Sequence, residues 1–191
     1  MKNKKPFVSV VITAGGSGKR FSNRKKKQYY KLNHKTILEW TILAFYNHKQ
    51  INQIILTVPQ EDMDQLNNDL KGFNSKLLIT PGGESRQASV FNGLKSCPEE
   101  TDIVLIHDAV RPFIYPVEIS SLIEQASLKG AVIPVTKVKY TIKRYKDQQI
   151  SKTINRDELL EVHTPQAFNY QMIMTLHENA VIQKLNLTDD A

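Results

Sequence analysis

A short apolar run that empties into glycines constrains this chain more than any other stretch. Phe7 to Ile12 is apolar and rich in β-branched residues, the composition of a strand buried on both faces. It breaks into Thr13-Ala14-Gly15-Gly16-Ser17-Gly18, followed by Lys19, Arg20 and then Arg24-Lys25-Lys26-Lys27. Glycines let a ligand lie against bare backbone. Backbone N–H groups and clustered cations together make a cradle for a polyphosphate.

Two common phosphate loops do not fit. A Walker loop needs G-x-x-x-x-G-K-[ST], but Gly18-Lys19 is followed by Arg20, and Thr13 stands where the first glycine belongs. A dinucleotide fingerprint needs G-x-G-x-x-G, but Gly16-Ser17-Gly18 is followed three residues on by Phe21.

The distribution of charge narrows the ligand. The chain has 191 residues and a formal net charge of +7. No acidic residue precedes Glu39, whereas eleven of the 26 Lys and Arg do, so the chain from Glu39 onward is net acidic. Basicity confined to one loop and its flanks suits a small polyanion, not a nucleic-acid duplex. The single cysteine, Cys97, cannot form an internal disulfide, which fits a reducing compartment. At a helix end, before Pro98, it is a poor nucleophile candidate. Lys2, Lys4 and Lys5 resemble the start of a signal peptide. The apolar run behind them is too short, and nothing approaches the roughly 18 apolar residues of a membrane span. The expectation is a cytoplasmic protein with no membrane and no nucleic-acid partner.

Strand and helix patterns alternate along the chain. Ile37 to Phe45 carries apolar residues at helical spacing; Ile51 to Val58 reads as a strand and Glu61 to Leu70 as a polar helix. Lys76 to Thr80 reads as a short strand, Glu84 to Lys95 as a helix and Asp102 to His107 as a buried strand. Pro116 to Leu128 follows as a helix and Gly130 to Val135 as a strand. This order predicts a single three-layer α/β domain over residues 1–191 with a mostly parallel sheet. Ligands bind at the carboxyl ends of such strands, which aligns the Gly15 loop, Gly82-Gly83 and His107-Asp108. The alternation lapses over residues 137–156. There Tyr140 to Arg144 and Gln149 to Ile154 flank a turn at Lys146-Asp147-Gln148, as in a hairpin arm. Two strands are marginal alone, so the arm is expected to pack on a second copy of the chain.

At His107-Asp108-Ala109-Val110-Arg111-Pro112, an Asp leaving a buried strand could hold a ribose hydroxyl or a Mg²⁺-bound water, with Arg111 steadying the carboxylate. A cap for the following turn is the alternative. His107 reads as a hydrogen-bonded structural histidine. Pro81-Gly82-Gly83-Glu84-Ser85-Arg86-Gln87-Ala88-Ser89 reads as a strand exit and helix start, with Glu84 suited to the helix dipole or to a nucleobase edge.

Taken together, these stretches resemble a known family. A-G-G-x-G-x-R with K-Q-Y, the G-G-x-x-R-x-x-S-V-x-x-G-L of Gly82 to Leu94, and the H-D-A-x-R-P of His107 to Pro112 are similar to the 2-C-methyl-D-erythritol 4-phosphate cytidylyltransferases. So are T-P-Q-x-F at Thr164 to Phe168 and T-D-D-A at Thr188 to Ala191. The class is the sugar-nucleotide pyrophosphorylase-like nucleotidyltransferases, with a Rossmann-like domain and a protruding arm. Two positions depart from the pattern: Val110 in H-D-A-[AG]-R-P, and Tyr140 where relatives carry Asp before Thr141.

The resemblance implies cytidylyl transfer from CTP to a polyol phosphate, with Mg²⁺, in the non-mevalonate isoprenoid pathway. It assigns catalysis to Arg20, Lys27 and Arg156. Ala14, Gly15, Gly83, Glu84 and Ser89 would select cytosine, and Gly16, Asp108 and Ala109 the ribose, while backbone from Gly15 to Gly18 meets the triphosphate. Thr141 and Arg156 on a partner's arm, with Thr164 and Thr188, would hold the acceptor in a homodimer. Ribitol-5-phosphate cytidylyltransferase, suggested by Val110, and an inactive nucleotide-binding regulator are the alternatives. Relatives continue for about forty residues beyond T-D-D-A through N-I-K-x-T. A chain ending at Ala191 would on that expectation lack one lysine and leave a strand edge unpaired.

Overall fold

Along the first strand, alternate residues reach opposite layers of the molecule, and that alternation sets the architecture. The structure, a computed structural model, describes residues 5–15, 26–185, 187, 189 and 190. In β1 (Val8–Thr13), Val8, Val10 and Ile12 join one buried cluster while Val11 joins another. A strand that is apolar on both sides needs cover on both sides. The polar Ser9 is accommodated by a buried hydrogen bond between its Oγ and Thr101 Oγ1 at 2.8 Å.

The other elements follow in order: β2 (Lys31–Leu32), β3 (Lys35–Thr36), α1 (Ile37–Tyr46), β4 (Gln53–Val58), α2 (Met63–Asp69), β5 (Leu77–Pro81) and α3 (Arg86–Lys95). Next come β6 (Ile103–Asp108), α4 (Pro116–Lys129), β7 (Ala131–Val132), β8 (Val135–Lys137), β9 (Ile142–Lys146) and β10 (Gln149–Ile154). The chain continues through β11 (Leu160–Val162), β12 (Gln166–Asn169) and α5 (Tyr170–Ile182).

The main sheet runs β5-β4-β1-β6-β12-β7. β5, β4, β1 and β6 are mutually parallel, and β12 is antiparallel to β6 and β7. Residues of α1 and α4 fill the cluster on one face, and residues of α3 and α5 the cluster on the other. The expected three-layer α/β domain with a mostly parallel sheet is therefore present. The strand order grows outward from β1 to β4 and β5, then returns to β6 on β1's other side. Between β1 and β6 lies the switch point, where open α/β sheets bind ligands.

Local chemistry explains the helix ends. Thr36 and Glu39 form a reciprocal capping box at α1, with Glu39 N donating to Thr36 Oγ1 at 3.1 Å and Thr36 N to Glu39 Oε2 at 2.7 Å. Pro116 opens α4, and Gly130, at φ +84°, closes it. Gly93 lets α3 lie close on the sheet, because a Cβ there would stand 2.4 Å from Val11 Cγ1 and 3.0 Å from Thr57 Cγ2.

Some boundaries differ from the sequence expectation. The strand expected over Gly130 to Val135 is two: β7 pairs with β12, and β8 pairs with β11. Pro134 lies between them, lacking the N–H that a continuous ladder would need. The helix expected from Glu61 begins as a tight turn, Gln60–Asp62, before α2. The arm is β9 and β10, joined by Asp147 and Gln148 at φ +50° and +62°. Positive φ at both positions is the two-residue hairpin turn whose twist matches the strands, so Lys146 belongs to β9 and not to the turn.

Candidate active site

Three strand exits are stitched together at the carboxyl edge of the sheet. Ala14 N donates to Thr57 O at 2.8 Å, Gly82 N to Val58 O at 2.7 Å and Ala109 N to Thr13 O at 3.1 Å. The loops after β1, β5 and β6 thus inherit the register of the ladder. A Cβ on Gly15 or on Gly82 would lie 3.1 Å from the same atom, Ser89 Oγ. Ala14, Gly15, Gly83 and Ser89 are accordingly gathered in one place, as expected. The Ser89 hydroxyl also has a structural part. It is buried, accepts from Gly83 N at 3.0 Å and donates to Ser85 O at 2.9 Å, and so orders the double glycine. Glu84 precedes the cap of α3, whose N-cap is Ser85, with Ala88 N donating to Ser85 Oγ at 3.0 Å. It stands exposed outside the first helical turn where the sequence pattern put it.

Asp108, at the end of β6, is steadied by two guanidinium groups. Arg111 Nε donates to its Oδ2 at 3.0 Å, as expected, and Arg86 Nε approaches Oδ1 at 3.4 Å. Arg86 also donates to the buried carboxylate of Asp190. Burial works against the Arg86 cation, but Asp190 and Asp108 outweigh it and raise its pKa. Asp190 in turn lies 3.5 Å from His177 Nε2, and the His177 ring stacks on Phe91. Asp189 accepts from Gln166 Nε2 at 2.7 Å.

Beneath Asp108, His107 is saturated. Its Nε2 lies 2.9 Å from Arg111 O, a carbonyl that can only accept, so Nε2 carries the proton and Nδ1 accepts from Thr164 Oγ1 at 3.0 Å. Burial lowers its pKa to about 4. A neutral imidazole with both nitrogens engaged is a structural group. Thr164 is held in the same network, since Asp108 N also reaches its Oγ1 at 3.4 Å. Cys97 is inert too, its thiol pushed up to about 12 by burial.

The K-Q-Y stretch forms a three-residue 3₁₀ turn, Lys27–Tyr29. Gln28 is buried and donates from Nε2 to Ala14 O at 2.8 Å. Tyr29 donates its hydroxyl to Asp62 Oδ2 at 2.6 Å, and Lys26 Nζ meets the same oxygen at 2.6 Å and Glu61 Oε1 at 3.2 Å. Burial disfavours the Lys26 ammonium, but Asp62 and Glu61 more than compensate and raise its pKa. Lys27 is exposed, and its side chain makes no hydrogen bond or ion pair with any described residue.

The acceptor side is sparser. Thr141 and Arg156 are exposed, at the two ends of the arm, and Arg156 donates to Lys139 O at 2.8 Å. Among the described residues no hydrogen bond or ion pair joins either of them to the sheet edge. Gly16, Gly18, Arg20 and Thr188 lie outside the described residues. Arg86, Gln28 and Asp190 were not singled out as site residues. Each stands inside a quoted motif, which was the signal available. Among the described residues no set of three or more His, Cys, Asp or Glu is placed to hold a metal. No helix of the described residues is long and apolar enough to cross a membrane.

Comparison with known proteins agrees with this geometry. A family model described as 2-C-methyl-D-erythritol 4-phosphate cytidylyltransferase matches residues 8–191. A protein of that name from Clostridium botulinum is 40% identical over 187 residues, covering 96% of this chain and 83% of the relative. One from Desulforamulus reducens is 41% identical, covering 96% and 80%. The solved 4-diphosphocytidyl-2C-methyl-D-erythritol synthase of Anaerococcus prevotii superposes with a TM-score of 0.85 at 32% identity, covering 97% of this chain and 80% of that one. A 2-C-methyl-D-erythritol 4-phosphate cytidylyltransferase structure from Francisella tularensis gives 0.83 at 29% identity, covering 97% and 83%.

Proposed function

The chain belongs to the 2-C-methyl-D-erythritol 4-phosphate cytidylyltransferase family, and we propose that it transfers the cytidylyl group of CTP to 2-C-methyl-D-erythritol 4-phosphate. An oxygen of the acceptor phosphate attacks the α-phosphorus of CTP. The new P–O bond forms as the bond to the β-phosphate oxygen breaks, and pyrophosphate leaves with that electron pair. The products are 4-diphosphocytidyl-2-C-methyl-D-erythritol and pyrophosphate, a step of non-mevalonate isoprenoid synthesis.

The acceptor phosphate is already an anion, so no base has to deprotonate it. This agrees with a His107 that is neutral, buried and fully hydrogen-bonded. The difficulty is repulsion between two highly charged anions, and the task is to align them and stabilise charge on the departing pyrophosphate. The observation that carries this reading is the meeting of bare glycine backbone and the Asp108 carboxylate at the switch-point edge, to which the Lys27–Tyr29 turn is tied by Gln28 at the Ala14 carbonyl. In this scheme Ala14, Gly15, Gly83 and Glu84 meet cytosine, with Ser89 fixing Gly83 rather than touching the base. Asp108 and Ala109, with Gly16, take the ribose side. Arg20 and Lys27 neutralise the triphosphate together with the amides of Gly15 to Gly18.

Mg²⁺ fits what the edge offers: one carboxylate, Asp108, already oriented by two arginines, with the remaining ligands coming from phosphate oxygens and water. When bound, it would draw the triphosphate charge and orient the leaving group. The homodimer is proposed because Tyr140, Tyr145 and Ile150 of the arm are 80%, 68% and 66% exposed, which an isolated two-stranded hairpin does not sustain. A partner's arm would then bring Thr141 and Arg156 to the acceptor phosphate, near Thr164 and Thr188. The protein is taken to act in the cytoplasm.

Pyrophosphate release tests the reading. CTP with methylerythritol phosphate should turn over. Turnover with ribitol 5-phosphate instead would move the acceptor assignment, and none with either would leave a nucleotide-binding protein.

A further inference from the structure

The Lys27–Tyr29 turn is too short to hold itself. A single 3₁₀ turn fixes several dihedrals for few hydrogen bonds, here Tyr29 N to Lys26 O and Tyr30 N to Lys27 O, at 3.1 and 3.3 Å. Something outside must hold it. Residues three apart in a 3₁₀ turn share one face, and Lys26 and Tyr29 both reach a single oxygen, Asp62 Oδ2. Gln28 leaves by another direction, inward, to the Ala14 carbonyl. The Lys27 side chain alone in this turn has no hydrogen-bond or ion-pair partner among the described residues.

We propose that Asp62 is a positioning residue for Lys27, gripping the side chains of Lys26 and Tyr29 so that the lysine between them is presented to the triphosphate. This rests on the reading of Lys27 as the cation that meets the leaving pyrophosphate. Asp62 ends the Gln60–Asp62 turn just after β4. β4 also supplies the carbonyls of Thr57 and Val58 that hold Ala14 and Gly82. One strand exit therefore locates the glycine loop, the double glycine and, through Asp62, the lysine. The grip is partly sheltered, the Asp62 and Lys26 side chains being 19% and 25% exposed. Burial and the hydrogen bond to Asp62 push the Tyr29 phenol up, so the hydroxyl keeps its proton and keeps donating.

The experiment is a double-mutant cycle in steady-state kinetics. Asp62→Ala should lower kcat about tenfold, as loss of alignment does, while KM for the acceptor changes by less than about twofold. In a Lys27→Ala background the same change should cost less than about twofold, because the group it positions is gone. Full additivity, or an Asp62→Ala enzyme with unchanged kcat, overturns the proposal. Since Asp62→Ala could loosen the fold, Tyr29→Phe, which removes one hydroxyl, should show the same non-additivity on a smaller scale. Amide exchange at Tyr29 and Tyr30, measured without nucleotide, should speed up in Asp62→Ala. Unchanged exchange overturns the grip. If the unaltered protein does not turn over CTP at all, the proposed function falls, and the exchange measurement still decides whether Asp62 holds the turn.

Discussion

The nucleotide edge and the arm are made from the same few kinds of side chain and end up in opposite conditions. At the edge, Asp108 has two guanidinium partners, His107 uses both ring nitrogens and Ser89 satisfies two backbone groups. On the arm, Lys143 donates to Thr153 across the hairpin and Arg156 donates to a neighbouring carbonyl, while Tyr140, Tyr145 and Ile150 stay in solvent. A polar group that is buried must be partnered before any ligand arrives. A polar group in water can wait for one. The edge is therefore ordered within the chain, whereas the arm would gain partners only through the association proposed above.

Acid should separate the two regions most. An unfolded imidazole titrates near 6.5, and His107 in the fold near 4. Between those values the unfolded chain takes the proton first, so this contribution is whole above about pH 6.5 and fades as pH falls toward 4. It amounts to about 3 kcal/mol. His48, also lowered by burial, acts in the same direction. Thermal unfolding followed from pH 7 to pH 4 should show a steep fall that His107→Gln flattens. A level profile in the unaltered protein would mean that a neutral His107 does not underpin the edge.

Lys27→Ala should reduce kcat roughly a hundredfold, as removal of a charge aimed at the transition state does, and Arg20→Ala should do likewise. Arg156→Ala should instead leave CTP affinity intact and spoil the acceptor's KM. If the arm acts across a dimer, mixing the Lys27→Ala and Arg156→Ala proteins should restore roughly a quarter of the sites, since half the dimers are mixed and each holds one intact site. Two impaired proteins that gain no activity when mixed, assayed at low acceptor concentration, would place the arm's work within one chain.

In the proposed scheme, base selection falls to the edge. CTP should exceed UTP in kcat/KM by roughly tenfold or more, because a wrong base leaves buried polar groups unpaired. Ser89→Ala, which frees the Gly83 amide, should narrow the gap. An unchanged ratio would show that Gly83 keeps its place without the hydroxyl. The smallest effect lies at the arm's tip. Asp147→Asn with Gln148→Gly suits the positive φ values there and should stabilise the hairpin by about 1 kcal/mol. CTP binding, measured calorimetrically, should not change.

Most of the fold was legible because its signals are local. The apolar run of Phe7 to Ile12 is a strand, Thr36 and Glu39 cap a helix, and Pro116 and Gly130 bracket one. Pro134 was the available cue for the break between β7 and β8. β12 and α5 carry weaker patterns and take their place from pairing with β6 and packing against α3, which are long-range facts. The site divides similarly. Glycines and Asp108 can be placed by the rule that ligands meet strand ends. That Arg86 would bridge Asp108 to Asp190, 104 residues further along the chain than Arg86, cannot be read from spacing. Ser89 is a related case: spacing marks the residue, but not the bonds its hydroxyl makes to Gly83 N and Ser85 O.

Gly93 lies on the face of α3 that rests on the sheet, well along the helix from the Ser85 end that adjoins the double glycine, yet it governs how deep that end can sit. A methyl group there would meet Val11 and Thr57 and lift the helix. The Ser85–Ser89 turn would rise with it, away from Gly15, to which Ser89 Oγ now stands close. Gly93 thus works as a depth stop for the floor of the cleft. A single added carbon at this seat would change the fit of every ligand that enters from above.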